Sequence, residues 1–135
     1  MTDATHDVDF TDEFCDFLQR SIRTVNAAEL LLLLCRQPER SWTTHELATQ
    51  LEPAASMTET DAAKDLEMFE QGGLVAPADD ERRFRYRPGS AELDAHVRTL
   101  AKLYNERPVT LIRLIYALRD AKIKTFADAF RIWGK

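Results

Sequence analysis

The stretch from Thr58 to Pro88 constrains this chain more than any other. Thr58 with Asp61 three residues on is a capping box, in which a hydroxyl and a carboxylate each satisfy an orphan backbone group at a helix start. The helix that follows turns Leu66 and Phe69 inward, and Ala62 and Ala63 allow close packing. Gly72-Gly73 stops it. Leu74 to Pro77 then reads as a short strand, Asp79-Asp80-Glu81 as a charged turn, and Phe84-Arg85-Tyr86-Arg87 as the returning strand.

The rest of the chain supplies helices to surround this unit. Residues 1–9 are acidic and polar, the composition of a disordered arm rather than a signal peptide. Thr11 caps a first helix, from about Asp12 to Ile22, with Phe14, Phe17, Leu18 and Ile22 at helical spacing. Asn26 caps a second, Ala27 to about Gln37. Its five leucines, Leu30 to Leu34, leave it no polar side, so it is expected at the centre, between the first helix and the elements that follow. Ser41-Trp42 is short and extended, placed to lie beside the hairpin. Thr43 and Glu46 form another capping box, opening a helix to about Gln50 that Pro53 closes.

After the hairpin, Ser90 caps a helix from Ala91 to Glu106 with a stripe of Leu93, Val97, Leu100 and Tyr104. Pro108 starts a segment, Val109 to Arg119, so apolar that a buried helix is expected, with a strand as the alternative. Thr125 and Asp128 open a last helix that carries Phe126, Ala129, Phe130 and Trp133 on one face.

Residues 26–88, through "SWTTHELATQL", "TETDAAKDLEMFEQGGLVAP" and "FRYRP", resemble the bacterial winged helix-turn-helix of transcription regulators. The end of the chain, "RPVTLIRLIYAL" and "FADAF", is similar to the ends of a group of uncharacterised bacterial winged-helix proteins, a likeness that implies architecture and no ligand. The expected fold is mainly α with a small β-hairpin wing. Residues 1–10 form a disordered acidic N-terminus and 11–25 a helix packed on the core. Residues 26–89 form the winged helix-turn-helix, and 90–135 a C-terminal helical extension.

Charge divides the chain. Residues 1–81 hold 5 Lys and Arg against 18 Asp and Glu, and residues 82–135 hold 13 against 5. Such polarity steers an anionic partner to one half, docks two copies head to tail, or lets the halves attract within one fold. The helix after Thr58, which in DNA-reading relatives enters the major groove, presents Thr60, Asp61, Lys64, Glu67 and Gln71, with Glu59, Asp65 and Glu70 at its margins. Carboxylates there meet phosphate charge with repulsion and release no counterions. The hairpin argues the other way. Arg82, Arg83, Arg85 and Arg87 cluster on it, and strand alternation puts the last three opposite Phe84 and Tyr86, a row suited either to phosphates or to pairing with Asp79, Asp80 and Glu81. The last helix offers Phe126, Phe130 and Trp133 beside Lys122, Lys124, Arg131 and Lys135, a stripe that reads as core, as a dimer contact or, more weakly, as an anionic-membrane contact.

Catalysis finds no foothold. His6, His45 and His96 share no ligand spacing, and no nucleophile–base pair, metal motif or phosphate loop appears. No cofactor or metal is expected. Cys15 and Cys35 have no metal or redox spacing and fit a reducing cytoplasm, and no apolar run approaches the ~18 residues of a membrane span. The sequence supports a non-enzymatic, cytoplasmic regulator, dimeric through its C-terminal segments. In one reading Arg82, Arg83, Arg85, Arg87 and Lys64, with the basic C-terminal half, contact duplex DNA. In the alternative Asp61, Glu67, Phe126, Phe130 and Trp133 dock a basic protein partner without DNA.

Overall fold

A computed structural model describes residues 9–55, 57–78 and 82–133, without the side chains of 52–55 and 132–133. The expected disorder of residues 1–8, the acidic turn Asp79-Asp80-Glu81, the Trp133 side chain and Lys135 therefore lie outside the described residues. The architecture is mainly helical with a small three-stranded antiparallel sheet, and the chain forms two compact units, Asn26–Val97 and the two terminal segments, 1–25 with 98–135.

The first unit contains α2 (Val25–Arg36), β1 (Trp42–Thr43), α3 (Thr44–Ala55), α4 (Glu59–Gln71), β2 (Val75–Ala78), β3 (Arg83–Tyr86) and the first part of α5 (Ala91–Glu106). This is the winged helix-turn-helix order with its small β wing. All of Leu30 to Leu34 are buried, as a helix with no polar face requires. The two capping boxes of α3 and α4 form. Thr43 N–H donates to Glu46 Oε1 at 2.9 Å and Glu46 N–H to Thr43 Oγ1 at 3.1 Å. Thr58 N–H donates to Asp61 Oδ2 at 3.3 Å and Asp61 N–H to Thr58 Oγ1 at 3.1 Å. α3 does not end before Pro53 but continues to Ala55. A proline in the final turn forfeits its own N–H bond without forcing the next alanines out of helical geometry.

α4 ends at a corner. Gly73 has φ +76°, Leu74 N–H donates back to Phe69 O at 2.9 Å, and Gly73 N–H donates to Glu70 O at 3.1 Å. The pair of bonds reverses the chain and satisfies carbonyls the helix leaves open. β2 then pairs antiparallel with β3, Val75 opposite Tyr86 and Ala78 opposite Arg83. β1 lies on the other side of β3, Trp42 opposite Phe84 and Thr43 opposite Arg83, so the order is β1-β3-β2. Trp42 is fully buried under the Arg40 guanidinium, 3.5 Å from its ring centroid, and its Nε1 is the buried side-chain nitrogen without a hydrogen-bond partner among the described residues.

The second unit contains α1 (Asp12–Ser21), the last part of α5, α6 (Pro108–Ala117) and α7 (Phe126–Trp133). Thr11 Oγ1 accepts from Phe14 N–H at 3.1 Å, the expected cap. Residues 109–117 are helical, with Pro108 at the first turn, so the strand alternative is excluded. The side-chain amide of Gln19 holds the α6–α7 connection. Its Nε2 donates to Leu118 O at 2.7 Å and to Ile123 O at 2.8 Å. Phe10, assigned by its sequence neighbours to the N-terminal arm, is buried and stacks on Phe126 with centroids 4.5 Å apart, under the Arg107 guanidinium at 4.9 Å. Asp9 pairs with Lys102 Nζ at 3.0 Å. Burial drives the Cys15 thiol up to about 12, so it stays protonated and inert. Among the described residues no helix is long and apolar enough to cross a membrane.

A Cβ at Gly73 meets the Leu93 Cδ1 only at 3.5 Å, an ordinary contact, so its cost is conformational. Gly73→Ala is expected to lower the unfolding free energy by roughly 1–2 kcal/mol, the cost of a left-handed L-residue. Urea denaturation with an unchanged m-value checks it.

Candidate functional site

The wing arginines do not act as one row. β1 beside β3 brings Arg83 level with Thr43, and its guanidinium is taken up there. Nε donates to Ser41 Oγ at 3.1 Å, and Nη2 donates to Ser41 O and to Glu46 Oε1, each at 3.3 Å. Glu46 thus serves both the cap of α3 and the wing. The Thr43 N–H, followed by the Arg83 and Arg40 charges, holds its carboxyl below the usual carboxylate range. Arg85 and Arg87 make no side-chain hydrogen bond or ion pair among the described residues, and Arg82 is exposed.

The α4 face is as acidic as its sequence. Glu59, Thr60, Asp61, Lys64, Glu67, Glu70 and Gln71 are exposed, while Ala62, Leu66 and Phe69 are buried. Two of the acids already have partners: Asp61 closes the capping box, and Glu59 Oε2 lies 3.1 Å from His45 Nδ1 of α3. Glu67 and Glu70 have none among the described residues. Asp65 is half-buried. Its burial, and then the Asp61 charge one turn away, push its carboxyl from 3.8 up to about 6. Sequence reasoning left Asp65 at the margin of the face, because helical spacing does not tell how deep a marginal residue sits.

The aromatic stripe of α7 divides. Phe126 is 2% exposed and belongs to the core through its stack on Phe10, so it does not present itself to a partner. Phe130 is 39% exposed, with its ring 6.0 Å from that of Phe126. The larger apolar exposure lies on α6. Leu111, Leu114 and Ile115 are buried as expected, but Val109 is 66% and Tyr116 48% exposed. Ile112 is half-buried and Arg113 exposed between them. These residues recur at helical spacing, so α6 is two-sided. The signal was present in Arg113, the charge that interrupts the apolar run. Among the described residues the exposed large hydrophobics are Val109, Tyr116 and Phe130.

Comparison of the chain with protein-family models, curated proteins and solved structures returns no match. Among the described residues no group of His, Cys, Asp or Glu is arranged to hold a metal ion.

Arg83→Ala is expected to destabilise the unit by about 1 kcal/mol, the scale of a lost half-buried hydrogen-bond set, and Arg85→Ala to stay within about 0.5 kcal/mol. Urea melts of the two variants compare them. Asp65 has a folded-state value near 6 against an ordinary 3.8, so its ionisation opposes folding above about pH 6, and the opposition fades as pH falls toward 3.8. Asp65→Asn is therefore expected to be more stable than the parent at ~pH 8, with the gap closing by ~pH 4 in paired thermal melts.

Proposed function

We propose that the protein is a non-enzymatic, cytoplasmic winged-helix regulatory protein that works by docking a protein partner on the exposed face of α4, and that it forms a homodimer to which its C-terminal helical segments contribute. The observation that carries this reading is the unneutralised acidity of α4. Glu67 and Glu70 point to no internal cation, and Lys64 is the one basic residue of the helix. A groove-reading helix brings cations to phosphates, because counterion release supplies most of the affinity. The α4 face does the reverse: it repels a duplex and attracts a cationic protein surface. The involvement of Arg83 with Ser41 and Glu46 removes one of the wing cations from the competing reading.

A second reading keeps some support. Arg85 and Arg87 have no side-chain partner among the described residues, and with Arg82 they form a cationic edge that suits a phosphate backbone.

Fluorescence anisotropy with a mixed-sequence duplex at ~50 mM and ~200 mM salt separates the two, since phosphate contacts weaken steeply over that range. The expected result is no saturable binding at the lower salt. Salt-sensitive binding that is lost in the Arg85→Ala plus Arg87→Ala variant overturns the docking reading in favour of the wing. Those two positions are preferred to Arg83, whose loss also disturbs the fold.

A further inference from the structure

The exposed face of α6 combines apolar and cationic character. Val109, Ile112 and Tyr116 form its stripe, and Arg113 projects from the same side. Arg119, just past the helix end, holds its guanidinium 5.8 Å from the Tyr116 ring centroid. Arg113 and Arg119 are both exposed. The two acids near α7 are internally engaged: Asp128 accepts from Arg131 and from the Lys124 N–H, and Asp120 accepts from the Lys122 N–H. The outward side of α6 therefore carries Arg113 and Arg119 beside an apolar strip, with the exposed Glu106 and Asp120 just outside its ends.

The matching surface is carried by the same chain. On α4, Ala63 is exposed between Glu59 and Glu67, one turn to either side, with Glu70 beyond. A small residue lets a Tyr116 ring approach the helix closely, and the carboxylates of Glu67 and Glu70 accept the planar guanidinium donors of Arg113 and Arg119. We propose that the α6 face is a self-docking site whose occupant is the α4 face of a second copy of this chain. Reciprocal engagement, with each copy giving α4 and receiving it on α6, closes a two-fold dimer. This rests on the reading of α4 as a protein-docking face and names its partner. The argument is charge complementarity: the exposed Arg113 and Arg119 of the α6 face stand against the exposed Glu67 and Glu70 of the α4 face, unpaired among the described residues.

Light scattering of the full chain tests it, with paired charge reversals. Glu67→Lys plus Glu70→Lys leaves both helices basic, and Arg113→Glu plus Arg119→Glu leaves both acidic. All four positions are exposed, and the capping Asp61 is untouched. The expected result is a mass of two chains for the parent at ~50 mM salt, weakened at ~200 mM. Each double variant alone falls to one chain, its dissociation constant raised at least about tenfold. An equimolar mixture of the two variants recovers the dimer, because one contact is then the native one and the other is restored with its charges exchanged. Recovery also shows that both variants fold. Val109→Asp supplies a second probe. A carboxylate suits the first turn of α6, so the fold is kept while an acid stands where α4 must sit.

A mixture that stays single while both variants retain the parent's circular dichroism overturns the proposal. So does a dimer that survives both reversals, which is a symmetric apolar contact between α6 faces. A parent that stays single at every concentration overturns the self-docking, including the case in which it sediments instead with phosphatidylserine vesicles. If that single parent also fails to bind duplex in the anisotropy assay, the docking reading of α4 stands without this partner. If it binds duplex with salt sensitivity, both fall.

Discussion

The winged-helix unit hangs on the corner at Gly73. Its positive φ allows Leu74 N–H to turn back onto Phe69, and that reversal both ends α4 and aims β2. The corner is also where the hairpin returns. Arg87 N–H donates to Leu74 O at 2.9 Å and Gly89 N–H to Gly73 O at 2.8 Å, so the base of the wing closes on the residues that began it. Leu74 is fully buried there, with Phe69 and Leu66 behind it. A side chain with a Cβ at position 73 resists this backbone, and the direction of the wing relative to α4 depends on it.

From that corner the charges divide into those bonded within the fold and those facing outward. Sheet pairing sets β3 between β1 and β2, and so sets Arg83 beside Ser41 and the first turn of α3. Arg83 becomes a brace between wing and helix, while Arg85, further along the same strand, and Arg87, just past its end, have no side-chain partner among the described residues. On α4 a similar division holds. Asp61 is committed to the capping box and Glu59 to His45, whereas Glu67 and Glu70 face outward. A tally of charges treats these residues as equivalent, and their hydrogen bonds do not.

In the second unit polar groups tie together elements that an apolar core packs. Gln19 reaches from α1 to carbonyls on both sides of the α6–α7 connection, and Asp9 pairs with Lys102 where the chain enters. With the loop fixed, Phe126 is drawn under Phe10 and α6 turns Leu111, Leu114 and Ile115 inward. The apolar content of α6 exceeds what one side of a helix can bury, so Val109 and Tyr116 are left facing out beside Arg113. That excess is the physical origin of an exposed apolar strip with a cation in it.

Local chemistry was legible in the sequence. The hydroxyls of Thr11, Thr43, Thr58, Ser90 and Thr125 each accept the N–H three residues on, as their spacing requires, and the glycine stop and the wing strands stand where they were expected. These features rest on bonds between residues a few positions apart, so neighbouring letters suffice to specify them. The acidity of α4 is likewise a property of its letters. What only the tertiary structure decided depends on residues far apart in the chain: Arg83 joined to Ser41 across 42 positions, Phe10 stacked on Phe126, Gln19 clasping Leu118, Asp65 half-buried, and Tyr116 exposed within an apolar run. Helical and strand periodicity assign a residue to a face. Which faces are covered, and which charges are already partnered, is set by long-range packing that no local pattern encodes.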